Sequence, residues 1–300
     1  MKKVLVIVGP TAVGKTDLSL KLAKAFAGEI ISGDSIQIYK GFDIGSGKVE
    51  DMQGVVHYAI DELDAKSVYS VYDFQQLARA RIASISANGH LPMIVGGTGL
   101  YIKACLYDYE FTLDSQEAKD YTAYSNEQLL TMLQQVDPES AQKIHVNNRR
   151  RLERALTIAQ SGNSKSSKEA MQQHEMIYDA LIIGCTMERA SLYERINQRV
   201  RLMQQQGLKA EVEKLLASGV SFEDQPMKGI GYRQWQPYFA DECTEEDVIA
   251  EIQKASRNFA KRQYTWFNNQ MKVHWVDMQD ENAEAMIMKL VEEWLADGRV

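Results

Sequence analysis

The chain has 300 residues, 45% hydrophobic and 25% charged, with a formal net charge of −7. That length suits one large domain or two modest ones, and the composition supports an ordinary buried core. Cys105, Cys185 and Cys243 lie too far apart for a zinc spacing or a disulfide framework, and the apolar run before Gly9 is too short for a signal peptide or a membrane span. A cytoplasmic protein in a reducing compartment is expected. The acidic balance argues against nucleic-acid binding when taken as an average. The basic residues are clustered, however, at Arg149–Arg154 and Arg257–Arg262, so one side of the surface can still meet a polyanion.

In chain order, VLVIV (4–8) reads as a buried strand and feeds into Gly9-x-x-x-x-Gly14-Lys15-Thr16, the P-loop pattern. Residues 17–27 have helical periodicity and stop at Gly28. Glu29–Ser32 reads as a second strand ending at Gly33-Asp34-Ser35, 73–88 as a helix, and Leu91–Val95 as a third strand running into Gly96-Gly97-Thr98-Gly99. This alternation predicts an α/β fold, a doubly wound parallel sheet flanked by helices. Residues 113–178 are polar, helical in tendency and without a strand pattern. They predict an inserted all-helical subdomain with a mobile connection in SGNSKSSKEAMQQ (161–173), leaving 1–112 and 179–300 as the core. Strand character returns at Ala180–Cys185. Amphipathic helices over 190–206 and 208–217, a late strand over Val273–Val276 and a final helix over 281–296 follow.

The P-loop carries specific physics. Glycines let successive backbone N–H groups turn around an anion, and the following helix offers it a positive end. Gly9, Thr11, Ala12, Val13, Gly14, Lys15 and Thr16 are therefore the candidate cradle for linked phosphates, with Thr16 the candidate ligand for Mg²⁺. Asp34, at a strand end beside that cradle, reads as a metal ligand or a general base, against the plainer alternative of an Asx-turn. Gly96–Tyr101 either lets a ligand approach the backbone or is a simple strand-to-helix turn. The P-loop, Asp34 and Thr98 all sit at carboxyl ends of strands and should converge.

Arg199 and Arg201 share a helix. A pyrophosphate leaving group calls for more than one cation, and spacing does not choose between the two. NNRRRLERAL (147–156) can present Arg151 and Arg154 on one helical face, to phosphates or simply to water. AKRQYTWF (260–267) interleaves Lys261 and Arg262 with aromatic residues, which suits RNA or a helix with its aromatics in the core. The strands at 91–95 and 180–185 end in glycine and Gly-Cys, not in the Asp that holds Mg²⁺ in P-loop ATPases, which counts against ATP hydrolysis.

Together GPTAVGKT (9–16), DSIQIYKGFDIGSGK (34–48), VGGTGLYI (95–102), H-x-N-x-x-x-R-x-x-R-A-L (145–156), LYERINQRV (192–200), GIGYRQ (229–234) and AKRQYTWF (260–267) resemble the bacterial tRNA dimethylallyltransferases, over nearly the whole chain. The P-loop alone is widely shared; its combination with Asp34-Ser35-x-Gln37-x-Tyr39 is far more selective. Val146 and Asn148 replace the usual Pro and Asp, Ser46-Gly47 stands for Thr-Ala, and Val49 for Pro.

The resemblance implies transfer of a dimethylallyl group from its diphosphate to N6 of the adenosine immediately 3′ of the anticodon, in tRNAs reading codons that begin with U. It implies Asp34 as base, with Lys15, Thr16 and Mg²⁺, the P-loop amides and Arg199 stabilising the leaving diphosphate and Thr98 touching the same oxygen. Gln37 would read the base edge, with Ser35 and Tyr39 supporting the pocket. The tRNA contacts implied are Asp34, Ser35, Ile36, Gln37, Tyr39 and Thr98, then Arg150, Arg151 and Arg154, then Gly231, Tyr232, Arg233, Lys261, Arg262 and Gln263. The partners implied are the anticodon stem-loop of tRNA and dimethylallyl diphosphate, with the chain acting as a monomer. A small-molecule or nucleoside kinase on the same P-loop scaffold is the main rival, and a non-catalytic tRNA-binding protein a further one.

Overall fold

A computed structural model describes residues 1–109, 111, 120–160 and 175–297. The chain divides into two compact units, Met1–Tyr107 with Met176–Val300, and Asp108–Glu175. The first is built on a six-stranded sheet in which every pairing is parallel. Its strands are β1 (Lys3–Val8), β2 (Gly28–Ser32), β3 (His57–Tyr58), β4 (Leu91–Gly96), β5 (Asp179–Thr186) and β6 (His274–Asp277), in the order β3-β2-β4-β1-β5-β6.

The β1 strand shows why the fold is layered. Its residues Val4 to Val8 are all 0% exposed, as a central strand covered on both faces requires. Side chains alternate across a strand. Val4, Val6 and Val8 therefore enter one core with Phe74, Ala78 and Ile82 of α2 (Val71–Ala87) and Ile102 of α3 (Gly99–Leu106). Leu5 and Ile7 enter the opposite core with Leu18 and Leu22 of α1 (Lys15–Ala25). Each such fully buried side chain contributes on the order of 1.5–3 kcal/mol, so this strand fixes both faces of the sheet.

The second unit holds α4 (Asn126–Val136), α5 (Pro138–Lys143) and α6 (Arg149–Gln160). Ser125 opens α4 with a capping box, accepting from Gln128 N–H while the Gln128 side chain takes the Ser125 N–H. Leu129, Leu133, Leu152, Ala155 and Leu156 close a separate small core. The connection expected at 161–173 lies outside the described residues.

The remaining helices of the first unit are α7 (Arg189–Gln205), α8 (Leu208–Ala217), α9 (Gln236–Phe239), α10 (Glu245–Gln270) and α11 (Ala283–Ala296), with 3₁₀ turns at Pro226–Lys228 and Arg233–Trp235. The long α10 spans 26 residues and joins an acidic start to the basic-aromatic segment at 260–267 in one helix. Its first turn holds Glu245, Glu246 and Asp247 behind a Thr244–Asp247 capping box. Acidic residues at a helix N-terminus offset the positive end of its dipole. Among the described residues no helix is long and apolar enough to cross a membrane.

Candidate active site

The carboxyl ends of β1, β2 and β4 open on one cavity of about 390 Å³. Three turns meet there. The P-loop leaves β1 through Gly9, whose φ of +143° suits glycine and where a Cβ would fall 2.5 Å from the Cys185 carbonyl oxygen. Gly14, in the left-handed region, precedes α1 without a side-chain cap, so the first amides of that helix face the loop. Lys15 Nζ arches over the loop, donating to the Gly9 and Pro10 carbonyls at 3.0 and 2.7 Å. The β2 and β4 turns are tied to each other: Gly33 N–H donates to Val95 O at 2.8 Å and Thr98 N–H to Gly33 O at 3.2 Å. Thr98 is the N-cap residue of α3 but its side chain makes no cap bond, so its hydroxyl is not committed to the helix.

Lys15, Thr16, Asp34, Thr98 and Arg199 all line this cavity. Asp34 Oδ1 accepts from Ile36 N–H at 2.8 Å, so the Asx-turn considered for this residue exists and aims its carboxylate rather than competing with a chemical role. Burial pushes the Asp34 carboxyl above the usual carboxylate range; donation from Ile36 and Gln37 and the charges of Lys15 and Arg199 pull the other way without cancelling it. Burial draws the Lys15 ammonium down to about 8, with Asp34 opposing. Burial also lowers the Arg199 guanidinium, again against the attraction of Asp34.

The two arginines left open by spacing are separated by the helix itself. Positions two apart on an α-helix point about 200° apart. Arg199 enters the cavity, whereas Arg201 turns out and pairs with Glu246 at 2.9 Å. Ile196, Val200 and Met203 flank Arg199 on α7 and, with Ile252 and Phe259 of α10, give the cavity an apolar side. Sequence reasoning missed them because apolar residues at helical spacing carry the same signal as a core stripe.

Ser35, Ile36, Gln37, Gly231, Arg233 and Arg262 also line the cavity. Lys228, which the sequence reading passed over, joins Arg233 and Arg262 there, and all three side chains are exposed. Thr11 lines it too, while Ala12 and Gly14 border an adjoining cleft and the Val13 side chain is buried in the core, leaving only its backbone for an anion. Lys261 is exposed on α10, and Arg150, Arg151 and Arg154 are exposed on α6 of the other unit.

Three expected RNA contacts are corrected. Tyr39 is 0% exposed and its hydroxyl donates to Ser67 O at 3.1 Å. Tyr232 is also 0% exposed, packed edge-on against Phe42. Both aromatics serve the core. Gln263, though it lines the cavity, is 5% exposed and its amide is spent on protein: Oε1 accepts from Thr11 N–H at 3.2 Å and Nε2 donates to Gly97 O at 3.0 Å. It bridges the P-loop to the turn before Thr98, and so positions both.

A profile described as IPP transferase matches residues 37–270. The chain belongs to the IPP transferase family. It is 48% identical to a tRNA dimethylallyltransferase of Bacillus cytotoxicus, covering 97% of this chain and 95% of that protein. A tRNA dimethylallyltransferase of Bacillus anthracis is 46% identical over 97% of this chain and 96% of its own. Among solved structures, the tRNA isopentenylpyrophosphate transferase of Staphylococcus epidermidis matches with a TM-score of 0.74 at 40% identity, covering 98% of each chain. A eukaryotic dimethylallyltransferase acting on tRNA matches with a TM-score of 0.88 at 26% identity, covering 99% of this chain and 80% of that one. The IPP transferase profile begins after the P-loop and Asp34; the relatives span both.

Proposed function

We propose that the protein is a tRNA dimethylallyltransferase, moving the dimethylallyl group of dimethylallyl diphosphate to N6 of the adenosine 3′-adjacent to the anticodon. The observation that carries this reading is the single cavity in which a phosphate-binding loop and a half-buried carboxylate stand together, in a chain whose relatives carry that name. Those relatives favour prenyl transfer and not the kinase alternative.

The reaction forms a C–N bond between N6 and the allylic carbon and breaks the bond from that carbon to the diphosphate oxygen. The bonding pair leaves with the diphosphate. The exocyclic amine is a weak nucleophile because its lone pair is delocalised into the ring, so a base on its N–H helps, and Asp34 takes that proton. Lys15 and Arg199 meet the charge that grows on the diphosphate oxygen, and the P-loop amides hold the rest of the anion. The apolar side formed by α7 and α10 suits the prenyl chain. The exposed Lys228, Arg233 and Arg262 suit an RNA backbone, from which the target base leaves its stack.

Thr16, exposed in the first turn of α1, fits Mg²⁺. Among the described residues no group of three His, Cys, Asp or Glu could hold a metal, so the remaining ligands would be diphosphate oxygens and water, a set Mg²⁺ favours. The ion's contribution would be to neutralise diphosphate charge.

Pyrophosphate release tests the reaction class. It should require both dimethylallyl diphosphate and tRNA and proceed without any nucleoside triphosphate; release that depends on ATP would return the kinase reading.

The pH profile follows from the site. Asp34 must be ionised to accept a proton, so activity falls with acid already above the usual carboxylate range. Lys15 must be charged, so kcat/KM for dimethylallyl diphosphate falls as pH rises through about 8. Lys15→Arg should move that alkaline limb upward, and a limb unmoved by the substitution would assign it elsewhere.

Arg154→Ala should raise the KM for tRNA and reduce the salt slope of tRNA binding by about one, because each neutralised phosphate releases counterions. Filter binding across a salt series reads this; an unchanged slope would mean that Arg154 does not meet the RNA backbone.

A further inference from the structure

One wall of the cavity is an irregular loop that includes Gly45, Ser46 and Gly47. Its backbone is held by a single distant carboxylate. Asp43 and Ile44 N–H donate to Glu211 Oε2 at 3.0 and 2.7 Å, and Gly45 N–H donates to Oε1 at 3.1 Å. The Tyr232 hydroxyl donates to the same Oε1 at 2.8 Å and accepts from Ser46 N–H at 3.1 Å. Residues 43 to 46 therefore deliver all their amides to Glu211, directly or through the Tyr232 phenol. Hydrogen bonds to an ionised acceptor are the strong ones.

What the loop touches gives this anchoring a chemical meaning. Gln37 Nε2 donates to Gly47 O at 3.3 Å, while Gln37 Oε1 accepts from the Ser32 hydroxyl at 2.8 Å. Gly47, at φ +63°, backs onto the Arg199 guanidinium so closely that a Cβ there would lie 1.7 Å from Nη2. The loop thus stands between a cavity amide and the cavity's arginine. Glu211 itself does not line the cavity.

We infer that Glu211 is a positioning residue for the transfer reaction: from α8 it fixes the 43–47 loop, and through it the placement of Gln37 and Arg199. A glutamate at this point is specific. A neutral amide of the same shape offers one acceptor oxygen where the carboxylate offers two, and turns an NH₂ toward backbone donors. Tyr232→Phe removes the relay to Ser46 but leaves three direct bonds, so it should do less harm.

This inference rests on the proposed transfer, and its test separates the two. Glu211→Gln, nearly isosteric, is compared with wild type and Tyr232→Phe in single-turnover transfer with saturating tRNA and dimethylallyl diphosphate. Misplacement of about 1 Å can cost up to ~10²-fold, so we expect a loss of roughly 10- to 100-fold for Glu211→Gln and a smaller one for Tyr232→Phe. Inorganic pyrophosphate binding, read by calorimetry, should weaken far less than the rate falls, because the P-loop amides and Lys15 are untouched and only Arg199 shifts. Amide hydrogen exchange should rise in the peptide spanning 42–48 and not elsewhere. A single-turnover rate equal to wild type, exchange that does not rise at 42–48, or pyrophosphate affinity lost in step with rate would each overturn the role. Absence of transfer by wild type would instead strike the proposed reaction, while the exchange result would still decide whether Glu211 holds the loop.

Discussion

Asp34→Ala lowers the single-turnover rate of dimethylallyl transfer by about 10²- to 10⁴-fold, the usual range for loss of a general base. Diphosphate binding stays largely intact, because the P-loop and Lys15 are untouched. The expectation rests on three features of one residue: its place at the end of β2, its lining of the cavity, and a turn in which Ile36 N–H fixes the carboxylate. Burial also keeps its proton affinity above that of an exposed carboxylate, and a stronger base suits a reluctant amine. Asp34→Asn should be nearly as impaired, since the amide can keep the turn but cannot take the proton. Near-normal turnover in rapid-quench kinetics would remove Asp34 from the chemistry.

Lys15→Ala and Arg199→Ala each slow the chemical step by about 10²- to 10³-fold, the range seen when one preorganised donor to a developing anion is removed. Charge appears on the leaving oxygen only as the carbon–oxygen bond breaks, so kcat should fall more than KM for dimethylallyl diphosphate rises. Both cations are buried enough for their ionisation to be disfavoured, Lys15 down to about 8. A bound diphosphate relieves that cost, which makes these two side chains better partners for the ligand than for water. Rapid quench with labelled dimethylallyl diphosphate reads the step. Arg199→Ala with altered thermal stability and an unchanged rate would return Arg199 to an ordinary helix position.

The fold was legible where pattern and burial coincide. Five apolar residues in β1 read as a covered strand because both faces are covered, and the glycines after it could only mark a turn. The two-residue β3 was not legible, since a pair at His57–Tyr58 has no periodicity to read. Nor was α10 legible as one helix, because its acidic start and its basic-aromatic end look like different segments. At the site, Lys15, Asp34 and Thr98 were singled out from residue type and neighbourhood, whereas Arg199 was preferred to Arg201 only through the family resemblance; all four share one cavity. Tyr39 and Tyr232 misled because residue type does not say which face of an element it occupies, and both turned into the core; Gln263 faces the cavity but spends its amide on the backbone of Thr11 and Gly97. Glu211 was invisible because its partners are backbone amides 168, 167 and 166 residues away. A contact to a backbone leaves no trace in the identity of the residues contacted.

Prenyl transfer to tRNA is read directly by mass spectrometry of the nucleosides from tRNA incubated with the protein, Mg²⁺ and dimethylallyl diphosphate, without nucleoside triphosphate. The expected product is N6-(dimethylallyl)adenosine, confined to the anticodon loop fragment that carries the adenosine 3′ of the anticodon, with none when dimethylallyl diphosphate is omitted. Unmodified adenosine in that fragment, in tRNA known to bind the protein, would contradict the proposed transfer.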